Sequence, residues 1–526
     1  MLSRRGFLAG TAAGAVSMHG AIAGAASPDT LDTAIVGGGP SGLYAAYRLI
    51  HAGHAAHQVG VFELSDRLGG RTFSVRMPGA EGMVAEFGGM RYLTNQKLVT
   101  SLIAQLDLPN RGFPMGGPDN FVYVRGKRFK IGDYAKKAPI PYDLAPNERG
   151  LDPFELMVKA IDHVIPGAEK LSPAQWQTIK RTATLDGKPL HAWGYRNVLN
   201  RFLSQEAMAL IRQAGGYYTL PTNWSAAEAL PFMLADFANH PSYRTLNDGM
   251  QSLTLALAKQ VEAKGATVNR QHGLVSLRVP AQTGTPYHEL IFSTQSGTRT
   301  IRAKRVILGL PRRSLELVPD IAVLRDPETA ALLRTVTPRP LCKAFLIHPE
   351  PYWTQFGLTS GDAATDVPAR QLYYFGTEPE RGPGNHGYAT MAYFDGPAID
   401  FWDGLRQLEK PGARGFTRLD PNGPFAREML RQIVLVHGLS ATPKVLSAGY
   451  MNWGDDPFGG GWHSWNQGTE SWKIMDRVQT PHPGIDLHIV GDAWSTSQGW
   501  VEGALQTTEN MLVHHMKLPV PNWQAK

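Results

Sequence analysis

The chain has 526 residues, a length that predicts two or three domains rather than a single core. Apolar residues make up 43% of the sequence and charged residues only 18%, which excludes a disordered or fibrous protein. The net charge of +7 comes from scattered basic residues, so nucleic acid is not an expected partner. The single cysteine, Cys342, excludes an internal disulfide and a cysteine-based metal site.

The first 26 residues are typical of an export signal rather than of a folded element. They contain a twin arginine, Arg4-Arg5, then a weakly apolar Ala/Gly stretch and a small-residue cleavage pattern at 23–25. This stretch is too rich in Gly, Ser and Thr for a membrane anchor, so no stable membrane insertion is expected. We expect export by the twin-arginine route to the periplasm or the cell exterior. Because that route carries proteins that load a cofactor before export, a cofactor site should follow.

A strand–turn–helix pattern then predicts a dinucleotide-binding site. Residues 32–36 form a short apolar run typical of a buried parallel strand, residues 37–42 fit G-x-G-x-x-G, and residues 43–52 are predicted to form a helix. A second strand over 58–64 carries Glu63, about 20 residues past the motif, where an acid accepts hydrogen bonds from the ribose hydroxyls. The pattern is weak alone and strong in this context.

Each position of the glycine motif has a physical role. Gly37 permits the tight turn, Gly39 lets the backbone approach a pyrophosphate, and Gly42 lets helix and strand pack closely. Pro40 and Ser41 begin the helix, whose N-terminal N–H groups and partial positive charge favour phosphate.

The segment R-L-G-G-R-T at 67–72 favours FAD over NAD. A second glycine turn with two cations suits the additional phosphate and ribityl contacts of FAD, whereas nicotinamide dehydrogenases do not require it. Leu64, Gly70 and Arg71 therefore join the expected FAD contacts. The alternative is an ordinary glycine-rich surface turn with solvated arginines.

Five ordered blocks resemble the flavin-containing amine oxidase superfamily and, within it, the L-amino acid oxidases. They are 35–72, 86–92, 248–253 with a strand near Leu274, 342–346, and 489–492 with 499–504. The resemblance implies an α/β (α+β) fold with a Rossmann-like FAD-binding domain, an inserted substrate-binding sheet domain and a helical subdomain. The expected bounds are 30–95, 245–312 and 445–516 for the discontinuous FAD-binding domain, 150–240 for the helical subdomain and 313–444 for the substrate-binding domain.

The second block implies a substrate clamp. Gly88, Gly89, Met90 and Arg91 resemble the loop over the flavin ring, and Arg91 also resembles the arginine that holds the substrate α-carboxylate. A guanidinium binds a carboxylate through two parallel charge-assisted hydrogen bonds, which fixes the orientation of the substrate. The alternative is a structural arginine paired with a core acid such as Glu86.

Two later blocks imply contacts near the reacting carbon. Lys343, in an otherwise apolar strand, resembles the family lysine that hydrogen-bonds a water at flavin N5; the alternative is that it points into solvent. Gly499 and Trp500 resemble the pair whose backbone carbonyl receives the substrate amine and whose ring forms the pocket wall.

The same resemblance implies further FAD contacts, which include Gly499 and Trp500. Leu274 lies in the strand that resembles the adenine-contacting strand of the family, and Val501 to Ala504 begin a helix directed at the flavin and its pyrophosphate. Asp492 stands where the family commonly has a glutamate that contacts the ribityl chain. This departure puts the direct contact in doubt, because the shorter acid reaches less far.

The part of the pocket that meets the substrate side chain is less well determined. Tyr373 and Tyr374 resemble the segment that gives a tyrosine hydroxyl to the carboxylate, and in a strand only one of them faces the pocket. The histidine that some amino acid oxidases carry on the helical insert has no evident counterpart. Met233 and Asp236 lie in that region, so the side-chain preference stays open.

The tail of the sequence bears on how the flavin is attached. In monoamine oxidases a cysteine after a Gly-Gly pair carries covalent flavin, whereas here Gly460-Gly461 is followed by Trp462, so non-covalent FAD is expected. Of the tryptophans between 453 and 500, most are predicted to be core, with Trp500 and Trp465 as candidates for the pocket wall.

The expected reaction is oxidative deamination of an L-amino acid by molecular oxygen to a 2-oxo acid, ammonia and hydrogen peroxide. An amine or polyamine oxidase and an amino acid 2-monooxygenase remain alternatives, as does a flavoprotein that delivers electrons to another acceptor. No general base is evident in the sequence. The resemblance also allows a homodimer, because the family is often dimeric.

Overall fold

The computed structural model describes residues 29–237, 242–381 and 387–524. The expected export signal at 1–26 lies outside these residues. Across the described ranges, no helix combines the length and the apolar character needed to cross a membrane.

A seven-stranded sheet contains the predicted dinucleotide-binding strands. Along the sheet the strands are Thr267–Asn269, Val59–Phe62, Asp29–Val36, Gly297–Leu308, His288–Thr294 and Gly273–Arg278, and Leu487–Ile489 also pairs with Gly297–Leu308. Four of its neighbouring pairs are parallel and two are antiparallel. Because the carboxyl ends of the parallel strands meet at one edge, that edge is where a dinucleotide binds in such sheets.

Helices cover one face of this sheet. Helix Pro40–His51 packs against Gln251–Ala263 and Val501–Asn510, and Lys97–Gln105 packs against Val501–Asn510. Their apolar faces meet in one buried cluster with the strands. The predicted helix over 43–52 is thus confirmed, with its start moved to Pro40, where proline is tolerated because the first turn lacks a hydrogen-bond acceptor for its N–H groups.

The second large sheet has eight strands, most of them from the residues between 341 and 452. In spatial order its strands are Phe416–Leu419, Ser447–Asn452, Leu341–His348, Tyr388–Asp395, Gln371–Phe375, Asp362–Thr365, Phe121–Val124 and Lys127–Lys130. The expected domain bounds were wrong at two points. Strand Ser447–Asn452 pairs with Leu341–His348, so it belongs to this sheet and not to an FAD segment beginning at 445. The hairpin at 121–130 also joins the sheet from outside the expected range 313–444.

The remaining middle segment is helical, as the sequence predicts. Its main helices are Pro153–Val164, Pro173–Thr182, Tyr195–Phe202, Gln205–Ala214 and Ala226–Phe237. Two begin with reciprocal capping boxes, Asp152 with Glu155 and Ser172 with Gln175, which explains where they start. Other helices are Arg312–Leu317, Pro327–Leu333, Ala398–Glu409, Pro424–His437 and Ser471–Gln479. The fold is therefore mixed α/β with a Rossmann-like unit.

Candidate functional site

A large cavity lies where the carboxyl ends of the parallel strands face the eight-stranded sheet and the helical segment. Its volume is ≈ 2130 Å³, whereas a small-ligand pocket occupies roughly 300 to 1000 Å³. The predicted residues that line it are Gly37, Gly39, Pro40, Ser41, Glu63, Leu64, Gly70, Arg71, Gly88, Gly89, Met90, Arg91, Leu274, Lys343, Asp492, Gly499, Trp500, Val501 and Ala504. The cavity thus has room for a dinucleotide together with a substrate.

The glycines of the turn at 37–42 differ in the space that the fold leaves for a side chain. Gly37 has φ of +111°, and a β-carbon there would lie 2.6 Å from the Gly309 carbonyl oxygen. A β-carbon on Gly42 would lie 2.0 Å from the Gly37 carbonyl oxygen. On Gly39 the nearest atom would be the Gly70 Cα at 3.7 Å. The fold therefore requires glycine at positions 37 and 42. At Gly39 the protein leaves room for a β-carbon, so a requirement for glycine there would come from a ligand in the cavity.

Helix Pro40–His51 begins at this turn without a side-chain cap. Pro40 and Ser41 line the cavity, so the first turn of the helix opens directly onto it. A helix N-terminus carries unsatisfied N–H donors and a partial positive charge. The site therefore fits a pyrophosphate, the group that joins the two halves of FAD.

Glu63 follows strand Val59–Phe62 and has both of its oxygens fixed. Oε2 accepts the Gly38 N–H at 2.7 Å, and Oε1 accepts the Ser65 N–H and hydroxyl, each at 2.9 Å. Three donors thus hold a carboxylate at the cavity wall near the phosphate loop. A fixed negative charge suits a ribose diol and disfavours a 2′-phosphate.

Asp492 lines the cavity and has both carboxylate oxygens occupied by protein groups. Its Oδ1 forms an ion pair with Arg71, and its Oδ2 accepts the Gly499 N–H at 3.1 Å. The shorter acid therefore ties the second glycine turn to the turn that precedes helix Val501–Asn510. Arg67, the other cation of the second turn, donates to the Gly70 carbonyl at 2.8 Å and lies 4.3 Å from the centre of the Phe73 ring.

Arg91 reaches the opposite end of the cavity. Its guanidinium lies 4.4 Å from the centre of the Tyr243 ring and 5.4 Å from that of Phe113, and Nη1 lies 3.0 Å from Met115 Sδ. In the part of the chain that the structure describes, no ion pair joins Arg91 to a carboxylate. A guanidinium among aromatic rings is a strong site for a carboxylate ligand, because little water competes for it.

Glu86, the acid considered as a structural partner for Arg91, is used elsewhere. Its Oε2 accepts the Ser74 hydroxyl at 2.7 Å and its Oε1 accepts the Met250 N–H at 2.5 Å. Burial raises the pKa of this carboxyl, and the neighbouring Lys343 opposes the shift. The reading of Arg91 as the ion-pair partner of Glu86 is therefore wrong.

Lys343 points inward from strand Leu341–His348. It is 3% exposed, and its Nζ donates to the Gly88 carbonyl at 2.5 Å and to the Glu86 carbonyl at 3.1 Å. The ring of Tyr393 lies 4.8 Å from Nζ. Burial lowers the pKa of this amine, although the Glu86 carboxyl opposes that shift. The alternative of a solvent-facing lysine is excluded.

The two adjacent tyrosines take opposite faces of strand Gln371–Phe375. Tyr373 lies beside Arg91, and burial raises the pKa of its hydroxyl well above the usual range. Tyr374 packs on the other face, where its hydroxyl contacts His437 Nε2 at 2.5 Å. The expectation that Tyr374 could bind substrate is therefore wrong. Neither is among the residues that line the cavity, so Tyr373 contacts Arg91 from behind the wall.

Aromatic rings that the sequence did not single out form much of the remaining wall. They include Tyr217, Phe232, Tyr243, Tyr393 and Trp462. Trp462 stacks on Phe232 with ring centres 6.0 Å apart, and Tyr243 stacks on Trp500 at 6.5 Å. Trp465, a candidate for the wall, is instead fully buried in the core behind it, so that expectation is wrong. Trp462 and Trp465 are three residues apart in strand Trp462–Trp465, so their side chains face opposite sides, and this alternation indicates that only one of them can line the cavity.

Asp236, from the last turn of helix Ala226–Phe237, also lines the cavity. It is 6% exposed, and its Oδ2 accepts the Trp500 Nε1–H at 2.9 Å. Burial raises the pKa of this carboxyl to about 7. Met233, considered with it in the sequence, is buried and is not a wall residue.

The only cysteine is buried and is not among the residues that line the cavity. Cys342 is fully buried, its Sγ donates to Asn452 Oδ1 at 3.3 Å, and it accepts from the Tyr450 hydroxyl. Burial raises the pKa of its thiol above the usual range. Trp462 occupies the position after Gly460-Gly461, so the residues present fit a dinucleotide held without a thioether bond.

Comparison with known proteins agrees with this geometry. The family described as flavin containing amine oxidoreductase matches residues 40–510. Aplysianin-A of Aplysia kurodai is 25% identical over 93% of this chain and 91% of its own. The L-amino acid oxidase Bs29 of Bothriechis schlegelii is 26% identical over 70% of each chain. Among solved structures, a redesigned putrescine oxidase has the same fold, with a TM-score of 0.67, 18% identity, and coverage of 93% of this chain and 100% of its own.

Proposed function

The chain belongs to the flavin containing amine oxidoreductase family, with FAD as its cofactor, and we propose that it oxidises the amine-bearing carbon of an L-amino acid. The observation that carries this proposal is Arg91. A desolvated guanidinium faces the cavity between aromatic rings, and no described carboxylate forms an ion pair with it, although its charge acts on the buried Asp236 and Asp362. A simple amine would leave that cation without a partner, whereas the α-carboxylate of an amino acid supplies one.

The cofactor would be held by the groups already described. The glycine turn and the N-terminus of helix Pro40–His51 fit the pyrophosphate, Glu63 fits the adenosine ribose, and Leu274, which lines the cavity, would contact the adenine. When bound, FAD would accept the two electrons that are lost as the substrate amine is oxidised to an imine, and would pass them to oxygen. The buried position of Cys342 supports non-covalent binding.

The chain's own residues then orient the substrate. Arg91 would hold the carboxylate through two hydrogen bonds, with Tyr373 fixing the guanidinium from behind. The Gly499 carbonyl would accept a hydrogen bond from the neutral amine, and Trp500 would exclude water beside it. Lys343 presents a buried donor at the Gly88 turn, where it would hold an ordered water. Positioning of this kind supplies much of the rate enhancement in cofactor enzymes.

The proposed overall reaction balances without a further co-reactant. An L-amino acid, oxygen and water give a 2-oxo acid, ammonium and hydrogen peroxide, with hydrolysis of the imino acid releasing the nitrogen. The relative named L-amino acid oxidase Bs29 supports this substrate class. The fold shared with a putrescine oxidase keeps an amine oxidase as the second candidate.

The test is a panel of L-amino acids and simple amines added to the purified protein, with flavin bleaching recorded without air and peroxide with air. Arg91→Ala should lower kcat/KM for amino acids by roughly 30-fold to several thousand-fold, the range for removing one partner of a buried charge pair. Arg91→Lys is the matched control, because it keeps the charge and loses the two-pronged hydrogen bonds. FAD content should stay unchanged in both variants.

Three results would contradict the proposal. Bleaching by amines alone, unaffected by either Arg91 variant, would identify an amine oxidase. A carboxamide product with little peroxide would identify a 2-monooxygenase. Slow reoxidation in air would point to an acceptor other than oxygen.

We also propose export by the twin-arginine route. The pattern around Arg4-Arg5 and the small residues at 23–25 support it. Expression of the full chain, cell fractionation and N-terminal sequencing should recover protein that begins after Ala25 or Ala26. Substitution of both arginines by lysine should retain it in the cytoplasm.

A further inference from the structure

The helical segment contributes a cavity wall on which Asp236 is the one acid among the described residues, with Tyr217 and Thr219 as its other polar members. Phe232 and Asp236 are four residues apart in helix Ala226–Phe237, so they share a face, and both line the cavity. Leu220 and Trp462 line the same region, and Trp462 stacks on Phe232. A ligand that lies along this wall meets hydrocarbon first and a carboxyl group at the end.

The carboxyl group of Asp236 has little compensation from the protein. Among the residues that the structure describes, its hydrogen-bond donor is Trp500 Nε1 and no ion pair includes it, so Trp500 and the charge of Arg91 only partly offset the burial that raises its pKa. Its main-chain carbonyl accepts the Tyr243 hydroxyl, which fixes the end of the helix. A buried carboxylate without a cationic partner is costly, so it is retained chiefly where a ligand supplies the partner.

The cavity places two opposite charges within reach of one tyrosine. The Tyr243 ring lies under the Arg91 guanidinium at 4.4 Å, and the Tyr243 hydroxyl contacts the main chain of Asp236. A ligand with a carboxylate at one end and a cation at the other would satisfy both groups. A neutral or acidic side chain would leave the burial of Asp236 offset only by the Trp500 hydrogen bond and the charge of Arg91.

The α-amine is a poorer partner for Asp236 than a side-chain cation. Asp236 accepts the Nε1–H of the Trp500 indole. The proposed amine acceptor is the Gly499 carbonyl, which precedes helix Val501–Asn510, whereas Asp236 belongs to helix Ala226–Phe237 in a different wall of the cavity. Lys343 and Gly88, at the proposed reacting end, come from a different wall.

We propose that Asp236 selects an L-amino acid whose alkyl side chain ends in a positive charge, of the lysine, ornithine or arginine type. This inference rests on the proposed function, because it takes Arg91 as the carboxylate site. Asp236 would then form a buried ion pair with the side-chain cation, beyond the hydrocarbon part that packs on Phe232 and Leu220.

The kinetic test compares L-lysine with L-norleucine, which has the same number of side-chain carbons and no terminal charge. The wild-type protein should have a kcat/KM for L-lysine roughly 100-fold above that for L-norleucine. Asp236→Asn should lower kcat/KM for L-lysine by about 100-fold and change that for L-norleucine by less than about threefold. FAD content and thermal unfolding would establish that the variant folds.

Asp362→Asn is the matched control. Burial also raises the pKa of Asp362, to about 6, and it too interacts with the charge of Arg91. It is not among the residues that line the cavity. Loss of this second acid should leave the ratio of L-lysine to L-norleucine unchanged.

A binding measurement separates recognition from turnover. Calorimetric titration with 6-aminohexanoate and hexanoate, which both lack an α-amine, should give roughly tenfold tighter binding of the aminated acid to the wild-type protein. In Asp236→Asn the two acids should bind alike.

The outcomes distinguish this inference from the proposed function. Equal use of L-norleucine and L-lysine by the wild-type protein overturns the inference and leaves the proposed function standing. Equal loss on both substrates in Asp236→Asn overturns it as well, because Asp236 then acts in the reaction itself. Oxidation of simple amines alone overturns the proposed function.

Discussion

Two glycines of the phosphate turn should respond in opposite ways to the same added methyl group. Gly39→Ala adds a β-carbon whose nearest protein atom is 3.7 Å away, at a residue with φ of −86° and ψ of −176°. Gly42→Ala adds a β-carbon 2.0 Å from the Gly37 carbonyl oxygen, where backbone must shift. The pair therefore separates the space that the fold needs from the space that the cofactor needs.

The expected magnitudes follow from these contacts. Alanine at a compatible backbone position stabilises a protein by about 0.4 to 1 kcal/mol, because it restricts the unfolded chain, so the Gly39→Ala apoprotein should be slightly more stable than the wild type. Its methyl group faces the predicted pyrophosphate path and should weaken charge-assisted hydrogen bonds worth about 1.5 to 3 kcal/mol, or roughly 10- to 150-fold in the Kd for FAD. Gly42→Ala should destabilise the apoprotein by about 1 to 3 kcal/mol or more.

The assay is thermal unfolding of both apoproteins together with titration of FAD by flavin fluorescence. Gly39→Ala should raise the apoprotein Tm and weaken FAD binding, whereas Gly42→Ala should lower the apoprotein Tm. Unchanged FAD affinity in Gly39→Ala would refute the placement of the pyrophosphate at this turn. An apoprotein of Gly42→Ala as stable as the wild type would refute the packing argument.

Three further predictions concern the far end of the cavity. Tyr373→Phe should raise KM for amino acids several-fold with little change in kcat. Tyr374→Phe should leave the kinetics unchanged and destabilise the fold by about 1 to 3 kcal/mol, because it leaves the buried Nε2 of His437 without its partner. Equal kinetics for the two variants would contradict this. Burial raises the pKa of Asp236 from an ordinary 3.8 to about 7 in the folded protein. Between these two pH values the folded protein keeps a proton that the unfolded chain has lost, so the free energy of unfolding falls as the pH rises through this range. In urea unfolding, the free energy of unfolding of Asp236→Asn relative to the wild type should therefore be up to about 4 kcal/mol higher at pH 8 than at pH 4. The same difference between the two proteins at both pH values would contradict the burial argument. Lys343→Met should lower peroxide production at least tenfold at equal FAD content, because it removes the buried donor at the Gly88 turn; unchanged turnover would remove Lys343 from the site.

The parts of the site that lie close together in sequence were predictable from spacing. The glycine turn, Glu63 and the second turn at 67–72 fall within one strand–helix–strand unit, where local geometry determines which backbone groups face the ligand. Arg91 was assigned from its local block, and the structure adds that Glu86 does not neutralise it. In such segments the local sequence determines the local geometry.

Residues brought together by strand pairing were beyond the reach of the sequence. Tyr393 reaches Lys343 because the two strands pair in register at these residues. Strand Ser447–Asn452 joined the eight-stranded sheet for the same reason, since it pairs with Leu341–His348. Register depends on partners distant in the chain, and a shift of one residue would turn each side chain to the other face.

The sequence by itself determined the Rossmann-like unit, the flavin dinucleotide site and the family, because each follows from short patterns with a fixed spacing. It also identified Tyr373 and Tyr374 as candidates for the carboxylate contact without showing which of them faces the pocket. Only the tertiary structure decided that Tyr373 lies beside Arg91, that Trp462 rather than Trp465 lines the cavity, and that Asp236 meets Trp500. The physical reason is that a pocket wall is assembled from separate elements, whose packing, and not their local pattern, determines which side chains face inward.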